Sequence, residues 1–371
     1  MTDPLGGLSP APEAAPEPAP EPAPRRPAPF TPTTVALLAA LAAVFLAELL
    51  VGHDSSGQDP VALLRMGSLY PPAVRDGDLW RLGSYAFLHI GWVHIAMNGY
   101  ALWILMRPLE TTFGQAVALG LFSATALLAG GASYEWSLLR HASVQAAGAS
   151  GGVFGLFGAT VSVYYRLRHR IPPEAMRAAV RMLLINLAIN AAIALSGFVD
   201  NAAHIGGFVS GIALGLLAPM PMLERRPWHR PAQWLLVGAA FVLAGMEGAA
   251  IARAFHPHPR TLRGPDVEAQ VGDLLVPESP GLSVLPGVMA LQISRETEPL
   301  HIEPGEDSVR IGDRTFLRQR TARDGVERTL LATADGAGRL VVEFECGAKV
   351  CTGAQAEAFY VPAARTIKSL R

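Results

Sequence analysis

Charge is what this chain has least of. Only 16% of its 371 residues are Asp, Glu, Lys or Arg, against a hydrophobic share of 50% and a mean hydropathy of +0.29. A soluble domain carries roughly a quarter of its residues as charges, so a plain cytosolic globule of this composition would lack surface, and a bilayer-embedded protein is expected. A net charge of −1 gives no case for nucleic-acid binding. Lysine is nearly absent, at Lys349 and Lys368, which fits the Arg- and Ala-rich usage of a high-GC bacterial genome. Cysteine occurs twice, at Cys346 and Cys351. Two thiols without nearby histidines cannot complete a zinc site. They form either a small-loop disulfide, if that region is exported, or two reduced residues. His-Glu-x-x-His is missing, as is an Asp pair placed for an intramembrane aspartyl mechanism, and no metal or organic cofactor is expected.

Proline, by contrast, is concentrated. Eleven of the 30 lie in residues 1–32, a segment read as a disordered cytoplasmic tail with almost nothing apolar to bury. It is not a signal peptide, because the apolar run comes too late. Apolar stretches near the required 20 or so residues follow at Thr33–Val51, Tyr85–Met106, Phe113–Gly130, Gly148–Tyr165, Ala178–Gly197, Ala202–Met220 and Ala232–Ile251. These predict an all-α polytopic bundle: a six-helix core over 33–221, then a linker and a seventh helix over 222–254, weakened by Glu247. Arg166, Arg168, Arg170, Arg177 and Arg181, with Arg225, Arg226 and Arg230, mark two cytoplasmic loops. The same count puts the N-terminus inside and residues 255–371 outside. This last portion reads as a separate, small β-rich soluble domain. Val326–Thr333 and Arg339–Cys346 alternate in part, Asp324-Gly325 and Asp335-Gly336 supply turns, and a Pro-containing linker is expected near His256–Pro280.

Polar residues at span depth are costly and face an interior or a water-filled cavity. The second stretch holds His89, His94 and Asn98; the fourth opens with Gly148-Ala149-Ser150-Gly151-Gly152; the sixth holds Asn201 and His204. His94 and Asn98, four apart, share a helical face. His89 lies about 140° from His94 at about 100° per residue, which puts it at the helix mouth, fixing the preceding loop. Ser150 starts its span, where backbone amides lack intrahelical acceptors. Gly207, Gly211 and Gly215 form a bare strip that lets helices approach closely, which would bring His204 to Ser150 as its base. Each residue taken singly also has a structural reading: a serine back-bonded to its helix, a histidine in a relay, a packing strip of glycine. The stretch around Ser150 also fits the Gly-x-Ser-x-Gly elbow of α/β-hydrolases, but that elbow needs a preceding strand and the flanks here are apolar helices.

These motifs together resemble the rhomboid family of intramembrane serine proteases over roughly Val35–Pro219. Trp80-Arg81 looks like the first-loop motif, His89-x4-His94-x3-Asn98 like the second-helix signature, and Glu110-x2-Phe113-Gly114 like the acidic motif after it. Gly148-Ala149-Ser150-Gly151 and Ala203-His204-x2-Gly207 are similar to the active-serine and histidine motifs. The resemblance implies that Ser150 is the nucleophile and His204 the base of a dyad, without Asp200 as a third member. It also implies an oxyanion hole of His94, Asn98 and the Ser150 amide. Arg81 would order the first loop, and Glu110 would brace the second and third helices. Phe154 stands where the best-studied bacterial members have a tyrosine, keeping the ring and losing the hydroxyl. Implied partners are transmembrane protein substrates and the lipid bilayer, in a bacterial inner membrane. One rival is a catalytically inactive membrane adaptor that binds client helices, which would predict loss of Ser or His at the dyad. Another, a small transporter, would call for polar residues continuing to the cytoplasmic side.

Overall fold

The computed structural model describes residues 31–52, 54–141, 145–194, 199–220, 227–255, 260–271, 276–279, 282–285, 289–296, 307–323, 326–335, 338–347 and 353–369. The Pro-rich tail before Thr31, the basic pair Arg225 and Arg226, and the turn residues Asp324, Gly325 and Gly336 lie outside these. The chain begins as helices and ends as sheet. Long helices are α1 (Pro32–Gly52), α5 (Gly91–Phe113), α6 (Gln115–Leu139), α7 (Ser150–Arg166), α8 (Pro173–Ala194), α9 (Asn201–Leu217) and α10 (His229–Phe255). Between α1 and α5 the chain folds into the short helices α2 (Pro60–Met66), α3 (Pro71–Arg75) and α4 (Arg81–Ser84), with a 3-10 turn at Tyr85–Phe87. The second helix therefore starts at Gly91, six residues later than the apolar run at Tyr85 suggested, because residues 85–90 close that loop.

By length and apolar composition, α1, α6 and α10 can cross a membrane. That measure alone does not return six spans plus one. The helices α7 and α9 are 17 residues each, α5 carries His94, Asn98, Arg107 and Glu110, and α8 carries Glu174, Arg177 and Arg181. Around α6 the helices share one apolar core, with Leu41, Leu102, Met106, Leu121, Phe122 and Leu156 almost fully buried. α8 is different: most of its described residues are exposed.

The tightest approach is between α7 and α9. A Cβ built on Gly207 would sit 2.0 Å from the Gly151 carbonyl oxygen, and one on Gly211 would sit 1.9 Å from that of Gly155. One on Gly158 would meet the Phe208 oxygen at 2.2 Å. Neither helix tolerates a side chain there, and Ser162 crosses the seam to donate to the Ile212 carbonyl at 2.7 Å. Arg166 closes the far end, donating to Gly215 O at 2.9 Å and Ala218 O at 2.7 Å, where the α9 dipole leaves carbonyls unsatisfied. Glu247 on α10 faces inward with Leu243 and Ala250, and all three are buried.

The C-terminal region contains β1 (Arg260–Arg263), β2 (Val267–Val271), β3 (Val276–Ser279), β4 (Leu282–Leu285), β5 (Met289–Glu296), β6 (Ser308–Ile311), β7 (Arg314–Arg323), β8 (Val326–Asp335), β9 (Gly338–Gly347), α11 (Gly353–Thr366) and β10 (Lys368–Ser369). The larger sheet has strand order β3-β4-β5-β9-β8-β7-β6 and is antiparallel throughout; β1, β2 and β10 form a smaller one. The expected strands correspond to β8 and β9, paired from Val326↔Gly347 to Asp335↔Gly338. The expected linker near His256–Pro280 instead contains β1, β2 and β3, whose Val267, Ala269 and Val271 alternate into the core. Cys346 is buried at the end of β9 and is disulfide-bonded; Cys351 lies outside the described residues.

This domain packs against the bundle. One apolar cluster joins Leu64, Tyr70 and Ala73 of the α1–α5 loop to Leu262, Val267, Phe344 and Tyr360. Beside it, Asp78 accepts from Arg81 Nε at 3.0 Å, from Arg253 at the end of α10 at 3.3 Å, and from Arg260 at the start of β1, which also reaches Asp76. Burial alone would raise the Asp78 carboxyl, but Arg81 and Arg260 outweigh it and hold the group below its ordinary 3.8. Burial pulls the Arg81 guanidinium down to about 10 against the opposing pull of Asp78. Because the folded-state value of Asp78 is depressed, its contribution is complete above 3.8 and is lost as pH falls through that lower value. Limited proteolysis should therefore detach the C-terminal domain faster in Arg260→Ala than in wild type at neutral pH. Wild type should approach that rate only in acid, below about pH 4. Equal rates at pH 7 would contradict the docking.

Candidate active site

The loop between α6 and α7 is pinned before it reaches Ser150. Leu69 and Ala146 exchange backbone hydrogen bonds at 2.9 Å each way, and Gly148 N–H donates to Tyr85 O at 2.9 Å. Gly148 takes φ +136°, and a Cβ there would lie 2.7 Å from the His94 ring. Only glycine meets both conditions. Ser150 is then the first residue of α7, with its amide in the first turn, where no intrahelical acceptor exists. Gly151 lies behind it against Ala129 and the Tyr85 hydroxyl, where a Cβ would come to 2.7 and 2.8 Å.

From α9, His204 Nε2 stands 2.8 Å from Ser150 Oγ. The Phe154 ring, one turn after the serine, stacks on the imidazole with centroids 4.2 Å apart and planes 14° from parallel.

On α5, His94 Nδ1 accepts the Ile90 N–H at 3.2 Å. A backbone N–H can only donate, so Nδ1 carries no proton and the neutral ring holds its hydrogen on Nε2, the atom 2.8 Å from where a Gly148 Cβ would be. Asn98 is buried one turn on and donates from Nδ2 to the His94 carbonyl at 3.1 Å, so in this structure it binds its own helix.

The remaining predicted residues are supports. His89 is fully buried beside His94, its Nδ1 3.1 Å from Phe87 O and its ring 5.1 Å from that of His94. Its backbone N–H donates to the Glu48 carboxylate at 3.2 Å. Arg81 donates to Leu64 O at 2.7 Å and Ser68 O at 3.1 Å, and lies 4.5 Å over the Trp80 ring, tying the first loop together. Glu110, far down α5, accepts from Thr31 at the start of α1. Its recorded brace thus runs to the first helix, where the third had been expected.

Glu48 and Asp200 escaped the sequence reading. Glu48 was a lone acid in an otherwise apolar run, which is itself the signal of a buried partner. Asp200 was weighed only as a triad member. Among the described residues no group of three or more His, Cys, Asp or Glu could hold a metal ion.

Residues 76–220 match the family described as Rhomboid domain. Over 208 residues the chain is 33% identical to "RHOMBOID-like protein 6, mitochondrial" of Arabidopsis thaliana, covering 51% of this chain and 66% of that protein. It is 30% identical over 189 residues to "Rhomboid protease GluP" of Bacillus subtilis (strain 168), covering 50% and 35%. Against "Rhomboid-like protease 1" of Toxoplasma gondii it is 26% identical over 187 residues, covering 49% and 61%. The chain thus spans between about a third and two thirds of the length of these relatives. It is a rhomboid-family membrane protein with a helical rhomboid domain and a C-terminal β-sheet region.

Proposed function

We propose that this protein is an intramembrane serine endopeptidase that cuts transmembrane helices of other membrane proteins. The observation that carries the reading is the 2.8 Å separation of His204 Nε2 and Ser150 Oγ. With the imidazole proton on Nδ1, the Ser150 hydroxyl donates to Nε2. As Oγ bonds to the scissile carbonyl carbon, its proton passes to His204 and the carbonyl oxygen becomes an oxyanion. The Ser150 amide and His94 Nε2–H are its donors, and Asn98 joins them by releasing its own-helix bond. His204 then protonates the leaving amine, and water repeats the sequence on the acyl-enzyme. A substrate helix hides its carbonyls in i to i−4 bonds, so Gly, Pro or other helix-weakening residues near the cut are the expected recognition features. Retention of both Ser150 and His204 in bonding contact argues against an inactive adaptor.

The proposed organisation is a Pro-rich tail over 1–32, a six-helix core over 33–221 in which α5, α7, α8 and α9 also cross the bilayer, a linker with α10 as seventh span over 222–254, and an exported domain over 255–371. The side of that domain is supported by its docking. It rests on the loop that also pins Gly148, so it shares the membrane face of Ser150. The basic loops holding Arg166 to Arg181 and Arg230 lie at the opposite ends of their helices, which supports a cytoplasmic side for them in a bacterial inner membrane.

In proteoliposomes carrying a single-span reporter, Ser150→Ala and His204→Ala should each lower cleavage by about a thousandfold or more; wild-type rates in either variant would refute the dyad. In intact cells an impermeant maleimide should label the C-terminal domain only after reductant. Labelling that requires the cells to be broken would place it in the cytoplasm.

A further inference from the structure

Asp200 takes no part in the steps above, yet it is the residue on which α9 begins. Its Oδ1 accepts the Ala203 N–H at 3.0 Å, an N-cap that satisfies one of the first unpaired amides of the helix. Its own carbonyl accepts the His204 N–H at 3.1 Å. Its Oδ2 accepts the hydroxyl of Ser133, which is only 4% exposed on α6. The first turn of α9 is thus tied at one residue to itself and to the neighbouring helix. Close by, Gly206 lies where a Cβ would come within 2.5 Å of Ala132 Cβ, so α9 has no slack towards α6.

The order Asp200 then His204 invites a triad, but both carboxylate oxygens are bound elsewhere, to Ala203 and Ser133. The charged and titratable groups acting on the imidazole are Asp200 from its own helix and His94 from α5; across the seam, α7 presents Ser150 and Phe154.

We propose that Asp200 is a positioning residue, capping α9 and clamping it to α6 through Ser133 so that His204 Nε2 is held at bonding distance from Ser150. This rests on the dyad reading. In a rigid site a displacement of about 1 Å can cost a hundredfold in rate, so one lost anchor at the turn bearing the base acts on kcat. Ground-state substrate binding by the rest of the bundle is unaffected.

The test measures kcat and KM for reporter cleavage in proteoliposomes for wild type, Asp200→Ala, Asp200→Asn and Ser133→Ala, with thermal unfolding in detergent on the same samples. Asparagine caps as well as aspartate and its amide can still bond Ser133. Asp200→Ala should lose about tenfold or more in kcat with KM unchanged, Asp200→Asn should stay within about threefold of wild type, and Ser133→Ala should fall between them. If Asp200→Ala fails to fold, Ser133→Ala, which leaves the cap in place, carries the test and should still lose kcat. The proposal is overturned if folded Asp200→Ala keeps wild-type kcat, if the loss appears in KM, or if Asp200→Asn is as impaired as Asp200→Ala. A wild type that cleaves nothing and fails to react with a fluorophosphonate defeats the dyad reading instead, an outcome distinguishable from all of these.

Discussion

Contact between the backbones of α7 and α9 is the constraint on which the site depends. In lipid, helices gain nothing from hiding apolar surface from one another, because acyl chains are as apolar as leucine. Association there depends on close packing and on hydrogen bonds. Gly158 on one helix and Gly207, Gly211 and Gly215 on the other allow an approach at which an added Cβ would strike the facing helix, while Gly151 and Gly155 leave no room for one against α6. Ser150 and His204 both lie just before the first contact of that seam, between Gly151 and Gly207, so their separation is set by how closely two backbones meet. Neither side chain is long or flexible enough to compensate for a looser fit.

The loop between α1 and α5 extends this constraint outward. Arg81 gathers Leu64, Ser68 and Asp78 around itself, the same loop fixes Ala146 and Gly148 before the serine, and the C-terminal domain inserts Arg260 into its charge cluster. Removing one partner from such a buried set leaves an uncompensated charge, which typically costs more than the pair contributes. The β-rich domain and the site loop are therefore parts of one docked assembly on one face of the bundle, although Arg260 lies 182 residues along the chain from Asp78.

Much of this was legible in the amino-acid sequence, for identifiable reasons. Histidine, asparagine and serine in apolar runs stand out because the bilayer penalises them, and a glycine every fourth residue can serve only a close helix contact. The strands β8 and β9 were legible through their alternation. Other features were hidden. The start of α5 was misplaced because Tyr85–Phe87 is as apolar as the helix it precedes. Strands β1 and β2 were concealed by neighbouring prolines. The docking of the C-terminal domain rests on long-range pairing of Asp76 and Asp78 with Arg260, which no local pattern signals. Asp200 looked like a discarded triad acid because its real partner, Ser133, comes from a different helix.

The measurement that bears most directly on this account is fluorophosphonate labelling of Gly207→Ala, where the new Cβ would stand 2.0 Å from the Gly151 oxygen, beside Gly238→Ala, which meets nothing within 4 Å. If the α7–α9 contact sets the Ser150–His204 geometry, Gly207→Ala should label at Ser150 about a hundredfold more slowly than wild type while still folded, and Gly238→Ala should label normally. A folded Gly207→Ala protein that labels at the wild-type rate would contradict it.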